Sequence, residues 1–173
     1  MLRIMLVYGA ISGVVIIAIM VAGMVFGAGV GSQLQGYLTM VIVLSLIFVG
    51  IKRYRDKDLG GVIKFLPALG LGIGISAVAA LFYVLSWEVS LTLTDFAFVD
   101  QYKESAIASY EAKGLSGEAL ETKVAELEAM MASYSNIMFR VPITFIEIFP
   151  VGLVVSLISA AVLRNPKVLP AKA

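Results

Sequence analysis

Between two long apolar runs lies the charged stretch Lys52-Arg53-Tyr54-Arg55-Asp56-Lys57-Asp58, and Lys64 follows shortly after it. The stretch holds four of the chain's 13 Lys and Arg residues in seven positions. Short basic loops of membrane proteins stay on the cytoplasmic side of the bilayer. The sequence therefore predicts a cytoplasmic loop here, and this loop fixes the expected orientation of every other segment.

The composition indicates an integral membrane protein. Of the 173 residues, 60% are hydrophobic and 14% are charged, whereas soluble domains carry roughly 25% charged residues. The chain has no Cys and no His, which excludes thiolate chemistry and disulfides and removes the commonest metal ligand and general base. The serines in the apolar runs have no such base to activate them. We therefore expect a non-enzymatic protein without a cofactor or metal.

Four apolar stretches are long enough to cross the hydrocarbon core, which takes about 20 helical residues. They predict spans at about 4–26, 32–51, 66–87 and 141–163 within a single membrane domain, 1–173, and an all-α fold. A cleaved signal peptide is the less favoured interpretation of the first run, which exceeds an h-region of about 7–15 residues. Gly9 and Gly13 in this run form a GxxxG pair, which permits close packing of a neighbouring helix.

Residues 88–139 differ from the spans because they carry nine acidic residues and three lysines, a net charge of −6. Thr92 to Asp95 resembles a capping box that would open one helix, and Gly114 would end it. Ser116 is expected to cap a second helix, in which apolar residues recur at helical spacing. That stripe consists of Leu120, Val124, Leu127, Met131 and Tyr134. We expect an antiparallel helical hairpin at 92–137, with stripes that cover each other or lie on the membrane.

The distribution of basic residues sets the expected topology. With the charged loop inside, four spans place both termini in the cytoplasm and residues 88–139 on the extracytoplasmic side. The basic residues expected inside are Arg3, Lys52, Arg53, Arg55, Lys57, Lys64, Arg164, Lys167 and Lys172. Those expected outside are Lys103, Lys113, Lys123 and Arg140.

Glu147 is the only acid well inside an apolar run, about 10 Å below Arg140 along a helix. A carboxylate at that depth costs a few kcal/mol unless it is paired, hydrated or protonated. The candidate partners are Arg140, Glu88, Tyr83 and Thr144. Pro150 should kink this helix just beyond Glu147, because proline lacks the N–H that the helix needs. The group is either a structural polar cluster or a proton- or cation-binding site.

Two further interpretations concern charged residues near the membrane surfaces. Glu88, next to Trp87, is expected to act as an interfacial anchor. The basic stretch could contact anionic lipid headgroups or a cytoplasmic partner, or serve only as a topology signal. The candidate contacts are Lys52, Arg53, Arg55, Lys57 and Lys64.

Three motifs resemble a bacterial membrane family that is frequent in Bacteroidota, domain-of-unknown-function family 4199. They are Phe48-Val49-Gly50-Ile51-Lys52-Arg53-Tyr54-Arg55-Asp56-Lys57-Asp58-Leu59-Gly60-Gly61, Phe139-Arg140 and Glu147-Ile148-Phe149-Pro150-Val151-Gly152. The chain departs from the family pattern at Asn136-Ile137, where Asn-Pro is expected. The resemblance spans nearly the whole chain and implies a small multi-helix inner-membrane protein, with no activity attached.

Two functions from different classes remain open. The first is a membrane scaffold that binds a protein partner through the acidic hairpin, with no role in nucleic-acid binding. The second is a small proton- or cation-linked transporter or channel subunit that uses Glu147. Four spans alone enclose little room for a pathway, so the second function requires a homo-oligomer.

Overall fold

The computed structural model describes residues 1–25 and 33–171, and this part of the chain is all-α, without strands. Its helices are α1 (Leu2–Val25), α2 (Gln33–Leu44), α3 (Leu46–Asp58), α4 (Phe65–Leu93), α5 (Ala97–Ala112), α6 (Glu118–Tyr134) and α7 (Ile137–Leu163). Four segments are long and apolar enough to cross a membrane: Leu2–Ile19, Gly36–Asp58, Phe65–Leu93 and Ile137–Leu163. The predicted all-α fold with four membrane-length helices is confirmed. Residues 26 and 32, which bound two predicted spans, lie outside the described part.

The charged stretch is helical, so its prediction as a loop is wrong. It forms the last two turns of α3, in which Lys52 pairs with Asp56 one turn later at 2.5 Å. Such i,i+4 pairs support a helix, and residues 52–58 contain no Gly or Pro to break it. The chain leaves the helix at Gly60 and Gly61, whose φ angles of 66° and 95° lie in the left-handed region.

Residues 1–84 and 145–171 form the first compact unit, called unit 1 here. In it α1 runs parallel to α4, since Gly9 lies against Val78 and Gly13 against Phe82. A Cβ atom at these two glycines would lie 2.5 and 2.3 Å from the Cβ atoms of Val78 and Phe82. The GxxxG pair therefore lets two helix backbones approach closely, which is how membrane helices gain packing energy.

The fourth membrane-length helix, α7, runs antiparallel to α4 in unit 1. Gly72 of α4 lies against Ser156, and Ser76 lies against Gly152. At this crossing the Ser76 and Ser156 hydroxyls are 3.2 Å apart, and each also bonds a carbonyl four residues earlier on its own helix. The core of unit 1 consists of buried aliphatic side chains, among them Leu44, Ile47, Ile51, Leu71, Ile75, Ile148 and Leu163.

These helix directions bring the basic residues of unit 1 to one end. The starts of α1 and α4 lie together because α1 and α4 are parallel. The end of α3 reaches the start of α4 through residues 59–64, and the end of α7 lies there because α7 is antiparallel to α4. The exposed cations at this end are Arg3, Arg53, Lys57, Lys64, Arg164 and Lys167. Lys172 lies outside the described residues.

Residues 85–144 form the second compact unit, unit 2, in which α5 and α6 pack against each other. The predicted apolar stripe of α6 is confirmed, because none of its five side chains is exposed and Leu127 is buried. The predicted capping box is wrong: α4 continues to Leu93, and the Thr92 hydroxyl donates back to the carbonyl of Glu88 at 2.9 Å. Threonine hydroxyls compete for the backbone in this way.

The N-terminal caps of both α5 and α6 differ from those predicted. Phe96 precedes α5 with a left-handed φ of 60°, and Gly117 precedes α6 with a φ of 59°. Neither helix has a side-chain cap, so the expected role of Ser116 is wrong. Gly114, with a φ of 83°, follows the end of α5 as expected.

Candidate functional site

Of the predicted partners of Glu147, Tyr83 bonds it, whereas Arg140 and Glu88 bond each other and Thr144 bonds the Arg140 carbonyl. The first pair joins α4 to α7 in unit 1: the Tyr83 hydroxyl donates to Glu147 Oε2 at 3.3 Å. The Glu147 side chain is exposed, although it lies inside a membrane-length helix. Pro150 is also exposed, one turn further, and α7 continues through it to Leu163.

The second pair, in unit 2, is a two-bond ion pair between Arg140 and Glu88. Arg140 Nε donates to Glu88 Oε1 at 2.8 Å, and Nη2 donates to Oε2 at 2.6 Å. The Arg140 residue is 4% exposed. A planar guanidinium matches a carboxylate in this geometry, which makes the pair both strong and directional. Arg140 and Glu88 thus satisfy each other, and Thr144 donates to the carbonyl of Arg140 at 3.0 Å.

Arg140 also binds the end of α6. Its Nη1 donates to the carbonyl oxygens of Tyr134 and Ser135 at 2.8 and 3.2 Å. The guanidinium carbon lies 5.2 Å from the Phe96 ring centroid and 5.7 Å from that of Tyr134, distances typical of cation–π contacts. Arg140, near the start of α7, therefore contacts the last part of α4, the end of α6 and Phe96, which precedes α5. Sequence reasoning missed the roles of Phe96 and Tyr134, for which aromatic character was the only signal.

Aromatic side chains extend this cluster. Trp87 Nε1 donates to the Tyr134 hydroxyl at 2.6 Å. The Trp87 ring meets Phe98 edge-on with centroids 4.7 Å apart, and Phe98 lies 5.9 Å from Tyr102. Glu88 therefore belongs to a packed polar and aromatic cluster, and its ion pair with Arg140 is the chemistry that the interfacial-anchor interpretation did not include.

Of the five candidate lipid or partner contacts, Arg55 does not fit that interpretation. Its side chain is fully buried, so it cannot reach a lipid headgroup. Arg55 Nη1 donates to the carbonyls of Val168 (2.9 Å) and Leu163 (3.4 Å), Nη2 donates to Leu169, and Nε donates to Asp56 at 2.6 Å. The end of a helix leaves carbonyl groups without partners, and a cation there stabilises them. Arg55 is therefore a cap for the end of α7.

The other candidate lipid contacts divide into two groups. Lys52 is partly buried and paired with Asp56. Arg53, Lys57 and Lys64 are exposed and can reach a headgroup or a partner.

A groove of about 420 Å³ lies between α5 and α6. Its lining residues are Phe96, Val99, Asp100, Lys103, Glu128, Met131, Ala132 and Ser135. Apolar side chains thus alternate with charged ones at the rim, where Lys103 and Asp100 are 4.0 Å apart.

The surface around this groove is rich in carboxylates. Lys123 donates to Glu126 at 2.6 Å, and this contact raises the pKa of the Lys123 ammonium. In unit 2, the exposed acids that have no ion pair within the described chain are Asp95, Glu104, Glu111, Glu118, Glu121 and Glu128. Over residues 1–25 and 33–171, no three His, Cys, Asp or Glu side chains are grouped so as to hold a metal ion.

The family model described as "Protein of unknown function (DUF4199)" matches residues 7–165. The chain belongs to this family. No curated protein and no solved structure matches the chain.

The part of the chain that matches the family model includes both polar pairs and Arg55. It also includes Leu163, the last residue of α7, whose carbonyl Arg55 binds. The other two carbonyl acceptors, at Val168 and Leu169, follow the matched region. The capping of α7 thus lies within the family region, and the tail contacts lie beyond it.

Proposed function

We propose that this DUF4199 protein is a non-enzymatic scaffold of the bacterial inner membrane, which binds a protein partner through α5 and α6. In this proposal the two helices form an antiparallel hairpin on the extracytoplasmic side, between the third and fourth spans. The observation that carries the proposal is the groove between α5 and α6 and the exposed carboxylates around it.

The distribution of exposed cations supports this orientation. Six exposed basic side chains gather at one end of unit 1, and positively charged ends are retained in the cytoplasm. With that end inside, both termini are cytoplasmic, and the segment after the third span is extracytoplasmic. Anionic lipid headgroups are then a further proposed contact for Arg53, Lys57 and Lys64.

The chemistry of the groove indicates the kind of partner. Phe96 and Met131 offer apolar contact area, and Asp100 and Glu128 place carboxylates beside it. A partner segment with an apolar side chain flanked by Lys or Arg would bury the former and pair the latter. The net charge of −6 over residues 88–139, which the two variants below change equally, would speed association with such a positively charged segment.

Charge reversal at the groove rim tests the scaffold proposal. The variant Asp100→Lys/Glu128→Lys is compared with Glu111→Lys/Glu118→Lys, which makes the same charge change on the same helices but outside the groove lining. Crosslinking in native membranes with mass spectrometry measures recovered partners. We expect the rim variant to lose at least one crosslinked protein by about tenfold or more and the control to retain it. Equal recovery from both variants would exclude the groove as a docking site.

Accessibility labelling tests the orientation. The chain has no Cys, so single-cysteine variants give no background. A membrane-impermeant maleimide added to intact spheroplasts should label Glu118→Cys and leave Lys57→Cys unlabelled until the membrane is opened. The opposite pattern would overturn the topology and the scaffold proposal together.

A second candidate, a small oligomeric transporter or channel subunit, is favoured by the exposed Glu147 beside Tyr83. Acidic side chains inside membrane helices often bind protons or cations on a transport pathway. In proteoliposomes, Glu147→Gln should abolish proton or cation flux if this function holds. Flux that is unchanged by the substitution, or no higher than in protein-free liposomes, would exclude it.

A further inference from the structure

The position of Glu147 conflicts with a monomer surrounded by lipid. Glu147 is about 15 Å along α7 from Ile137 and about 24 Å from Leu163, so it is distant from both ends of the helix. Its side chain is nevertheless exposed. Ionisable side chains in membrane helices face protein or water-filled cavities, because hydrocarbon offers no hydrogen-bond partner. A surface that carries such a group is expected to be covered by protein.

The exposed residues on the same face of α7 have the spacing that is typical of a helix–helix contact. From Glu147 onward, exposed side chains recur at alternating spacings of three and four residues. They are Glu147, Pro150, Val154, Leu157 and Ala161, and Val154 and Leu157 are 54% and 40% exposed. This is the spacing at which two helices interlock side chains along a left-handed crossing. The face combines that apolar seam with one polar position.

We propose that this face of α7 is the contact surface between two copies of the chain, related by a two-fold axis along the membrane normal. Both copies have the same topology, so each Glu147 meets the surface of the other copy at its own depth. A two-fold contact is self-complementary, because every group meets the same patch on the other copy. The proposal is independent of what α5 and α6 bind.

The hydrogen-bonding groups of the pair suit a second copy. A tyrosine hydroxyl both donates and accepts, and a protonated carboxyl does the same. Two Glu147 carboxyls and two Tyr83 hydroxyls can therefore form a closed set of hydrogen bonds across the axis. A single polar position within an apolar seam also fixes the register of the two helices. Lipid chains can supply none of these partners.

Disulfide crosslinking in native membranes tests the contact directly. Val154→Cys puts a thiol on the seam, and Ile42→Cys puts one on α2, where the native side chain is 70% exposed. We expect oxidation to give a product of twice the chain mass from Val154→Cys, at a yield about tenfold above that of Ile42→Cys. Comparable yields from the two variants, or a Val154→Cys product containing another protein, would overturn the proposal.

Substitution of Glu147 tests the role of the polar position. Glu147→Gln keeps a donor and an acceptor, whereas Glu147→Leu removes both. By two-colour single-molecule counting in liposomes, we expect Glu147→Leu to raise the dimer dissociation constant about tenfold and Glu147→Gln to change it by less than about threefold. Equal dissociation constants for the two variants would show that the carboxyl does not join the copies.

Discussion

Arg55 in unit 1 and Arg140 in unit 2 are both buried, and both bind the carbonyl oxygens at the end of a helix. They differ in where their carboxylate partner comes from. Asp56 is the next residue after Arg55, whereas Glu88 precedes Arg140 by 52 residues. For Arg140 the ion pair is itself the long-range contact. For Arg55 the ion pair is local, and neutral carbonyl groups supply the long-range contacts.

The surroundings of the two arginines differ as well. Unit 1 has a continuous core of fully buried aliphatic side chains, and close helix contacts at glycine add to it. In unit 2, the buried aliphatic side chains include Leu91 and Leu127, and most of α5 and α6 is exposed. The comparison indicates that apolar packing stabilises unit 1. In unit 2, the polar and aromatic cluster around Arg140 makes the main contribution to stability.

The largest loss of stability is expected from breaking the ion pair of unit 2. Arg140→Gln leaves the Glu88 carboxylate, whose side chain is 19% exposed, without its partner and leaves the α6 carbonyls uncapped. Removing one member of such a buried pair costs about 3–5 kcal/mol. Trp87, the chain's one tryptophan, bonds Tyr134 in this cluster, so its fluorescence during denaturation in mild detergent reports the loss.

The double variant Arg140→Gln/Glu88→Gln is the control for the first prediction. It removes both charges, so it should recover part of the stability lost by Arg140→Gln alone. A Trp87 transition that stays at the wild-type midpoint in the single variant would contradict the importance assigned to the pair.

A smaller, local effect is expected at Arg55. Arg55→Gln removes hydrogen bonds to three carbonyls. Val168 and Leu169 are not buried, so water can replace the guanidinium at two of these carbonyls, and the expected loss is about 1.5–3 kcal/mol in all. Asp56 keeps Lys52 as a partner, so no carboxylate is left without a cation. Hydrogen exchange should therefore rise in residues 164–171 and change little in unit 2. The exposed neighbour Arg53→Gln is the matched control, and equal exchange in both variants would argue against the cap.

Helix packing in unit 1 is expected to be sensitive at Gly13 and insensitive at Gly36. An alanine Cβ at Gly13 would clash with Phe82, whereas a Cβ at Gly36 would meet nothing within 4 Å. Overpacking of this kind costs about 1–3 kcal/mol. Thermal unfolding in detergent should show a lower midpoint for Gly13→Ala than for Gly36→Ala. The same midpoint for both would mean that α1 and α4 can separate without loss.

The smallest effect is expected at two buried serines. In the described part of the chain the Ser12 hydroxyl has no hydrogen-bond partner, so Ser12→Ala removes an unsatisfied group and should not lower stability. Ser156→Ala removes the bonds to Ser76 and to the Gly152 carbonyl, a loss of about 0.5–1.5 kcal/mol. Unfolding curves in one detergent compare them, and a greater loss at Ser12 would contradict the assignment.

The sequence was sufficient for the features that depend on local composition. Apolar length predicted the four membrane-length helices, since hydropathy over about 20 residues decides whether a segment can cross the bilayer. Helical spacing predicted the stripe of α6, because it is set by the 3.6-residue turn. Both are properties of short windows and need no knowledge of distant contacts.

Features that depend on partners distant in the sequence could not be predicted. Arg55 looks like its exposed neighbours Arg53 and Lys57, and its burial follows from acceptors more than a hundred residues later. The pairing of Arg140 with Glu88 likewise needed the positions of α4 and α7 in unit 2. Thr92 has a residue type that suits the start of a helix, but its hydroxyl donates to a carbonyl of α4 instead, because a hydroxyl can bond the backbone on either side.

The Arg55 cap also has a consequence for biogenesis. The acceptors of its guanidinium lie 108 to 114 residues further along the chain. Since synthesis and insertion proceed from the N-terminus, this cation must stay hydrated while the ribosome translates two more membrane-length helices. A polypeptide truncated after Asn165 would contain all four such helices but lack two of the three carbonyls, and we expect cellular proteases to remove it as an unfinished product.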